Sequence, residues 1–232
     1  MGKNKHRRFR ENETFAILHQ PPFADYFRRA HPLRGTWRAQ IFGNPNPIVL
    51  ELGCGKGEYT LALAQKYPQR NYIGVDIKGA RLWRGAKTAT EQALPNVRFL
   101  RARIEHIDAL FAPSEIDEIW ITFPDPQPKN PNKRLTSPPF LNRYRLILKP
   151  AGAVHLKTDS RPLHDYTLAL IAHNRLTLNH ATPDLYAAPL ADDLLAVKTH
   201  YEKIYLLRSL PITYLQFLLD APAPLTDAPS SQ

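Results

Sequence analysis

Ile48-Val49-Leu50-Glu51-Leu52-Gly53-Cys54-Gly55-Lys56-Gly57 decides how this 232-residue chain is read. A short apolar run meets a turn with glycine at alternate positions, and a helical pattern follows through Tyr59, Leu61, Ala62, Leu63, Ala64 and Tyr67 until Pro68 stops it. Asn71-Tyr72-Ile73-Gly74-Val75-Asp76 reads as a second strand, so the unit is β-α-β with a carboxylate at the strand tip. The alternation continues outward as helix 78–93, strand 97–100, a short helix around 105–111, strand 116–123, helix 139–148, strand 153–158 and helix 161–173. Residues 175–180 and 203–208 then read as two late strands with no strong helix between them, which predicts antiparallel pairing. The expected fold is α/β: a doubly wound, Rossmann-like sheet of about seven mostly parallel strands with an antiparallel hairpin at one edge.

Upstream, residues 14–45 mix prolines with Phe15, Phe23, Tyr26, Phe27, Trp37 and Phe42, a pattern that predicts an arm wrapped on the core with short helical turns. The expected organisation is a basic, partly disordered arm at 1–45, one domain at 46–212, and a largely disordered Pro/Ala/Ser tail at 213–232.

Composition narrows the class. The net charge is +10, and residues 1–40 hold nine basic side chains against three acidic ones. Such clustering suits a phosphate backbone, although residues 1–13 alone also read as a solvated tail. No apolar run reaches the roughly 18 residues that a membrane span needs, and no apolar segment follows the basic N-terminus as in a secretory signal. A cytoplasmic protein with no membrane association is expected. One cysteine, Cys54, excludes an internal disulfide and reads as a small buried filler, and the nine histidines lack metal-ligand spacing, so no metal is expected. The composition leaves monomer and homodimer open.

The glycine turn is Gly-x-Gly-x-Gly, not the dinucleotide spacing Gly-x-Gly-x-x-Gly. Glu51 beside it would repel a pyrophosphate but suits a ligand with a cationic end, such as the sulfonium and α-amino groups of S-adenosylmethionine. Gly53 and Gly55 let the backbone approach that ligand, and Asp76 can take both hydroxyls of a ribose. A turn needed only for strand–helix packing is the plain alternative. The second candidate site is Phe123-Pro124-Asp125-Pro126-Gln127-Pro128-Lys129, where three prolines exclude helix interior and central strand directly after an apolar run. A stiff loop at the carboxyl end of a strand, carrying a carboxylate and an ammonium four residues apart, is expected in the active site.

These two stretches, together with Lys157-Thr158-Asp159 and Thr199-His200-Tyr201-Glu202, fall in an order and spacing that resembles the tRNA (guanine-N7)-methyltransferase family over residues 48–209. The resemblance implies the class I methyltransferase fold, S-adenosylmethionine as donor, and tRNA as substrate, modified at guanine 46 of the variable loop. By motif position it makes Asp125 the catalytic acidic residue, Glu51, Gly53, Gly55, Asp76, Arg103 and Asp125 cofactor contacts, and Lys129, Asp159, Thr199 and Glu202 substrate contacts. Two departures stand out: Gln127 replaces the family's usual Trp ahead of a thinner basic run, 130–134, and Arg103, with Glu105 two residues on, replaces an Asn or Asp beside the adenine.

Guanine N7 carries an in-plane lone pair and no proton, so its methylation requires no general base. The ring becomes cationic as the bond forms, and carboxylates such as Asp125, Asp159 or Glu202 can counter that charge and accept from the N1–H and N2 edge. Competing roles are a helix N-cap for Asp159, with Ser160 as rival, and a polar strand-edge pair for Thr199 and Glu202. Two other functions fit less of the sequence: an exocyclic-amine methyltransferase, for which Gln127 lacks the stacking aromatic, and a basic RNA-binding module without catalysis.

Overall fold

The computed structural model describes residues 3–187 and 194–228, with the backbone alone for residues 3–5, 200 and 201. In chain order the elements are α1 (Lys3–Asn12), β1 (Leu18–His19), α2 (Phe23–Tyr26), a π-helical turn at Trp37–Phe42, β2 (Ile48–Leu52), α3 (Glu58–Lys66), β3 (Asn71–Asp76), α4 (Gly79–Glu91), β4 (Val97–Arg101) and a 3-10 turn at Ile104–Ala109. There follow β5 (Ile116–Thr122), α5 (Pro138–Ile147), β6 (Leu148–Thr158), α6 (Arg161–His173), β7 (Leu178–Thr182), α7 (His200–Leu207) and β8 (Thr213–Leu218). The sheet runs β1-β4-β3-β2-β5-β6-β8-β7, parallel from β1 to β6 and antiparallel at β6-β8-β7.

The doubly wound, mostly parallel sheet with an antiparallel edge is the expected one, but it has eight strands. The added strand, β1, is two residues long and pairs Leu18 with Phe99 and His19 with Leu100. Both faces of β2 are covered, so all five of its residues are buried. Ile48, Leu50 and Leu52 pack in one layer with Leu141 and Tyr144 of α5 and Leu163 and Leu170 of α6. Val49 packs in the other with Tyr59 and Leu63 of α3 and Leu82 and Ala86 of α4. Glu51 shares the parity of Val49 and therefore points to α3.

Three expectations are corrected. Residues 203–207 are helix, inside α7, with Arg208 as its C-cap, and the strand that completes the sheet is β8, within the segment expected to be tail. Thr199-x-x-Glu202 is a capping box: the Thr199 hydroxyl accepts from Glu202 N at 3.3 Å and Glu202 Oε2 accepts from Thr199 N at 3.2 Å. That signal stands in the sequence, and the apolar run behind it reads as strand only if the box is passed over. Second, the tail does not hang free as far as residue 228. Asn142 exchanges two hydrogen bonds with the Leu225 backbone (3.0 and 2.8 Å), Asn174 does the same with Thr226 (2.8 and 3.0 Å), and Leu225 is buried. Third, α1 is ordered helix on α4: Asn12 donates to Gly79 O at 2.9 Å and Trp83 donates to Glu11 at 2.5 Å, with Arg8 over the Trp83 ring. The disorder expected of residues 1–2 and 229–232 lies outside the described residues.

Candidate active site

All five parallel strands from β2 to β6 end on one edge of the sheet, and the candidate residues gather there. Gly53 turns the chain out of β2 at φ +77°, and Gly53 N and Cys54 N both donate to Val75 O, at 2.8 and 3.0 Å. Gly57 precedes α3 at φ +71°, where a Cβ would stand 2.5 Å from the Phe99 ring, so only glycine fits. Asp76 pins the same turn. Its Oδ2 accepts from Gly55 N at 3.0 Å and its Oδ1 from Lys78 N at 2.7 Å, which leaves lone pairs on both oxygens for a ligand.

Glu51 is 5% exposed and held by three donors: Thr60 N at 2.9 Å and the Thr60 hydroxyl on Oε2, and the Thr122 hydroxyl on Oε1 at 2.6 Å. Burial outweighs those bonds and raises its pKa to about 7. A carboxyl this reluctant to ionise is poised for a cationic partner. Thr60 and Thr122 are supports that sequence reading missed, because nothing in the local pattern says which hydroxyls face the end of β2.

Two cavities flank Gly53. The smaller, about 90 Å³, is lined by Glu51, Gly55, Tyr59, Thr122, Phe123 and Thr199 among others. The larger, about 420 Å³, is lined by Asp76, Arg103, Glu105, Gln127, Lys133 and Phe140 among others. They meet at Gly53 as the two chambers of one cleft, with Glu51 lining one and Asp76 the other, a polarity that suits a nucleoside joined to an amino acid. Arg103 and Glu105 both line it. The Arg103 guanidinium is 4.5 Å from the Phe23 ring centroid and the Arg103 backbone N–H donates to the Tyr26 hydroxyl at 3.1 Å, so the arm builds a wall of the cleft. A further cavity of about 360 Å³, beside Arg145 and Gly152, opens at the far end of β6.

The loop after β5 is strained. Phe123 and Gln127, neither of them glycine, lie at φ +48° and +45°. Asp125 is exposed and accepts from Gln127 N at 3.1 Å, while Lys129 is exposed. β6 runs beside β5 in register, Thr122 opposite Lys157, which brings Asp159 alongside this loop. Ser160, not Asp159, caps α6 by accepting from Leu163 N at 3.3 Å, and the Asp159 side chain has no hydrogen-bond or ion-pair partner among the described residues.

Thr199 reaches the smaller cavity, but Glu202 does not line either one. It is fully buried, 2.6 Å from the equally buried Lys157, and it also accepts from the Tyr186 hydroxyl and closes the capping box. Lys157 donates further to the carbonyls of Leu195 (3.2 Å) and Val197 (3.0 Å), and its burial lowers its pKa while Glu202 raises it. The direct substrate contact expected of Glu202 is thus replaced by an internal one, because both carboxylate oxygens already have donors.

Sheet order, glycine turn and two-chamber cleft define the methyltransferase branch of the doubly wound folds. A 16S rRNA methyltransferase, KamB, superposes with a TM-score of 0.57 at 19% identity over 74% of this chain and 87% of its own. The family described as putative methyltransferase matches residues 45–211. The tRNA (guanine-N(7)-)-methyltransferase of Christiangramia forsetii is 50% identical over 93% of this chain and 98% of its own length. That of Bacteroides thetaiotaomicron is 46% identical over 94% and 87%. The chain belongs to the tRNA (guanine-N(7)-)-methyltransferase family.

Proposed function

We infer that this protein uses S-adenosylmethionine to methylate N7 of a guanine in tRNA. One observation carries the reading: a cleft with buried carboxylates at the tips of β2 and β3 opens beside a loop that exposes Asp125 and Lys129. The relatives named for this reaction at 46–50% identity support the substrate. The finer assignment to guanine 46 of the variable loop rests on the motif resemblance, and a cytoplasmic location goes with it. Among the described residues no helix is long and apolar enough to cross a membrane, and no group of three or more His, Cys, Asp and Glu is placed to hold a metal.

Glu51 would hold the cationic amino-acid end of the donor, Asp76 the ribose hydroxyls, and the Arg103–Glu105 wall the adenine. When bound, the donor supplies an electrophilic methyl group on a sulfonium. A guanine N7 that took this methyl would leave its ring cationic. Asp125 and Asp159 meet that charge and the N1–H and N2 edge, Lys129 holds a flanking phosphate, and Thr199 orients the groups from the smaller cavity. Glu202 serves by anchoring the segment that carries Thr199.

Incubation with bulk tRNA and donor, followed by mass analysis of digested nucleosides, tests the function. 7-Methylguanosine is the expected product; a methylated exocyclic amine would move the assignment to the other enzyme class, and binding without transfer would leave an RNA-binding module.

Donor affinity is expected to depend on pH through Glu51. Its pKa in the folded chain is raised to about 7 from 4.5, so the empty protein loses stability as pH rises through that window, while its affinity for a cationic ligand grows as the carboxyl ionises. Calorimetric titration with S-adenosylhomocysteine from about pH 6 to pH 8 reads this directly, and a wild-type profile as flat as that of Glu51→Gln would refute it.

Asp76→Ala is expected to weaken donor binding clearly more than Arg103→Ala. The first removes ribose acceptors and also frees Gly55 N and Lys78 N, whereas guanidinium is donor-only and costs about 1 kcal/mol or less at so exposed a position. Equal losses in the two titrations would make Arg103 a primary ligand.

The basic arm is expected to contribute to tRNA affinity by charge. Because α1 packs on α4, deleting residues 1–13 would also expose Trp83, so substitution is the cleaner test. Replacing Lys3, Lys5 and Arg10 together by Gln should lower the slope of log affinity against log salt by about 2 to 3. An unchanged slope would make the arm a structural element only.

A further inference from the structure

The strained loop is braced by the far end of the chain. Arg134 donates from Nε to the Pro126 carbonyl at 3.2 Å, and its guanidinium lies 4.3 Å from the centroid of the Tyr166 ring on α6. The Tyr166 hydroxyl in turn donates to Asp227 at 2.7 Å. Asp227 follows directly on Leu225 and Thr226, which Asn142 and Asn174 fasten to α5 and α6. Arg145 adds hydrogen bonds to the carbonyls of Ala221 and Ala223. A continuous line of contacts therefore runs from the C-terminal segment through Tyr166 and Arg134 to Pro126, the residue between Asp125 and Gln127.

Each link has a physical reason. A guanidinium lies favourably over an aromatic face, and a planar group fixed on its face has little freedom to swing its Nε away from a carbonyl. The ring is kept from rotating by its hydroxyl, and burial, then Asp227, push that phenol's pKa upward, so it remains a donor at neutral pH. The loop needs such a brace because Phe123 and Gln127 occupy the left-handed region that residues with a Cβ disfavour. Proline at 126 cannot secure itself through a backbone N–H, which leaves its carbonyl as the handle.

We propose that Tyr166 is a positioning residue for the loop that carries Asp125, held beneath Arg134 by the C-terminal segment through Asp227. The proposal rests on the reading of Asp125 as the residue at the reacting base. It gives the C-terminal segment a catalytic consequence without contact with donor or RNA.

Tyr166→Leu removes the platform, Tyr166→Phe keeps the ring and cuts the bond to Asp227, and Asp227→Ala cuts the same bond from the other side. Three readouts apply: kcat on tRNA, the dissociation constant of S-adenosylhomocysteine, and the rate of tryptic cleavage after Lys129 without RNA. Tyr166→Leu is expected to lower kcat by about tenfold, in the range a small misplacement of a catalytic group produces, while ligand affinity stays within about twofold. Cleavage after Lys129 should quicken in parallel. Tyr166→Phe and Asp227→Ala should each give a smaller loss, and the double variant should be no worse than either single one, since both delete one interaction. Wild-type kcat and cleavage in Tyr166→Leu, additive losses in the double variant, or a fall in ligand affinity equal to the fall in kcat would overturn the proposal. If the wild-type chain transfers no methyl to tRNA, the functional reading fails, and the cleavage rates still decide whether Tyr166 braces the loop.

Discussion

Asp125→Ala is expected to lower methyl transfer to tRNA by about 10²–10³-fold while leaving the affinity for S-adenosylhomocysteine nearly intact. The side chain is exposed on the loop after β5 and lines neither chamber of the cleft, so its removal should not empty the donor site. Among the described residues its one hydrogen-bond partner is Gln127 N, at 3.1 Å. A carboxylate that turns back on its own loop can swing to an incoming base at small cost, since the N–H it releases can bond to water. Asp125→Asn separates charge from hydrogen bonding. It retains an acceptor for the guanine edge but no negative charge, so a loss close to that of Ala would assign the effect to the developing cation. Turnover of Asp125→Ala at the wild-type rate would remove Asp125 from the mechanism.

Lys157→Ala is expected to destabilise the fold by about 3–5 kcal/mol, the cost of leaving a buried carboxylate without its counter-charge. Glu202 is fully buried among the described residues, and Lys157 also satisfies the carbonyls of Leu195 and Val197. The companion variant is Lys157→Met with Glu202→Leu, which removes both charges at similar volume and should recover a large part of the loss. Urea unfolding of the two proteins checks this: a Lys157→Ala cost below about 1 kcal/mol would mean that water reaches the pair. The variant should also lose activity, because Thr199 caps the helix that Glu202 anchors and lines the chamber beside Glu51.

The separation of these two effects bears on how the family motifs are read. Asp125 and Glu202 both belong to stretches on which the resemblance to the family rests, yet one is exposed at a strained loop and the other is sealed in an ion pair. The same motif rank hides two physical tasks. Glu51 differs from both: it is buried like Glu202, but hydroxyl and amide donors hold it in place of a counter-charge.

The alternation of apolar strands and amphipathic helices, the glycine turn after β2 and the proline stop after β5 are local patterns, and from them the sequence alone determined the doubly wound sheet and the edge at which the glycine turn and the proline loop meet. Each of these follows from periodicity or from what glycine and proline permit at a single residue. What only the tertiary structure decided are matters between residues far apart in the chain. The run after Glu202 carries its Thr199–Glu202 cap as a local signal, but only the fold supplies the buried Lys157 that seals Glu202 and gives the sheet-edge role to β8. Residues 1–13 read as a block of like charge and the C-terminal tail as a run of proline, alanine and serine, neither of which orders itself. They are ordered by partners 52 to 83 positions away, Trp83 for α1 and Asn142, Tyr166 and Asn174 for residues 225–227, because a side chain's hydrogen-bond partners are set by the folded path and leave no mark on local composition.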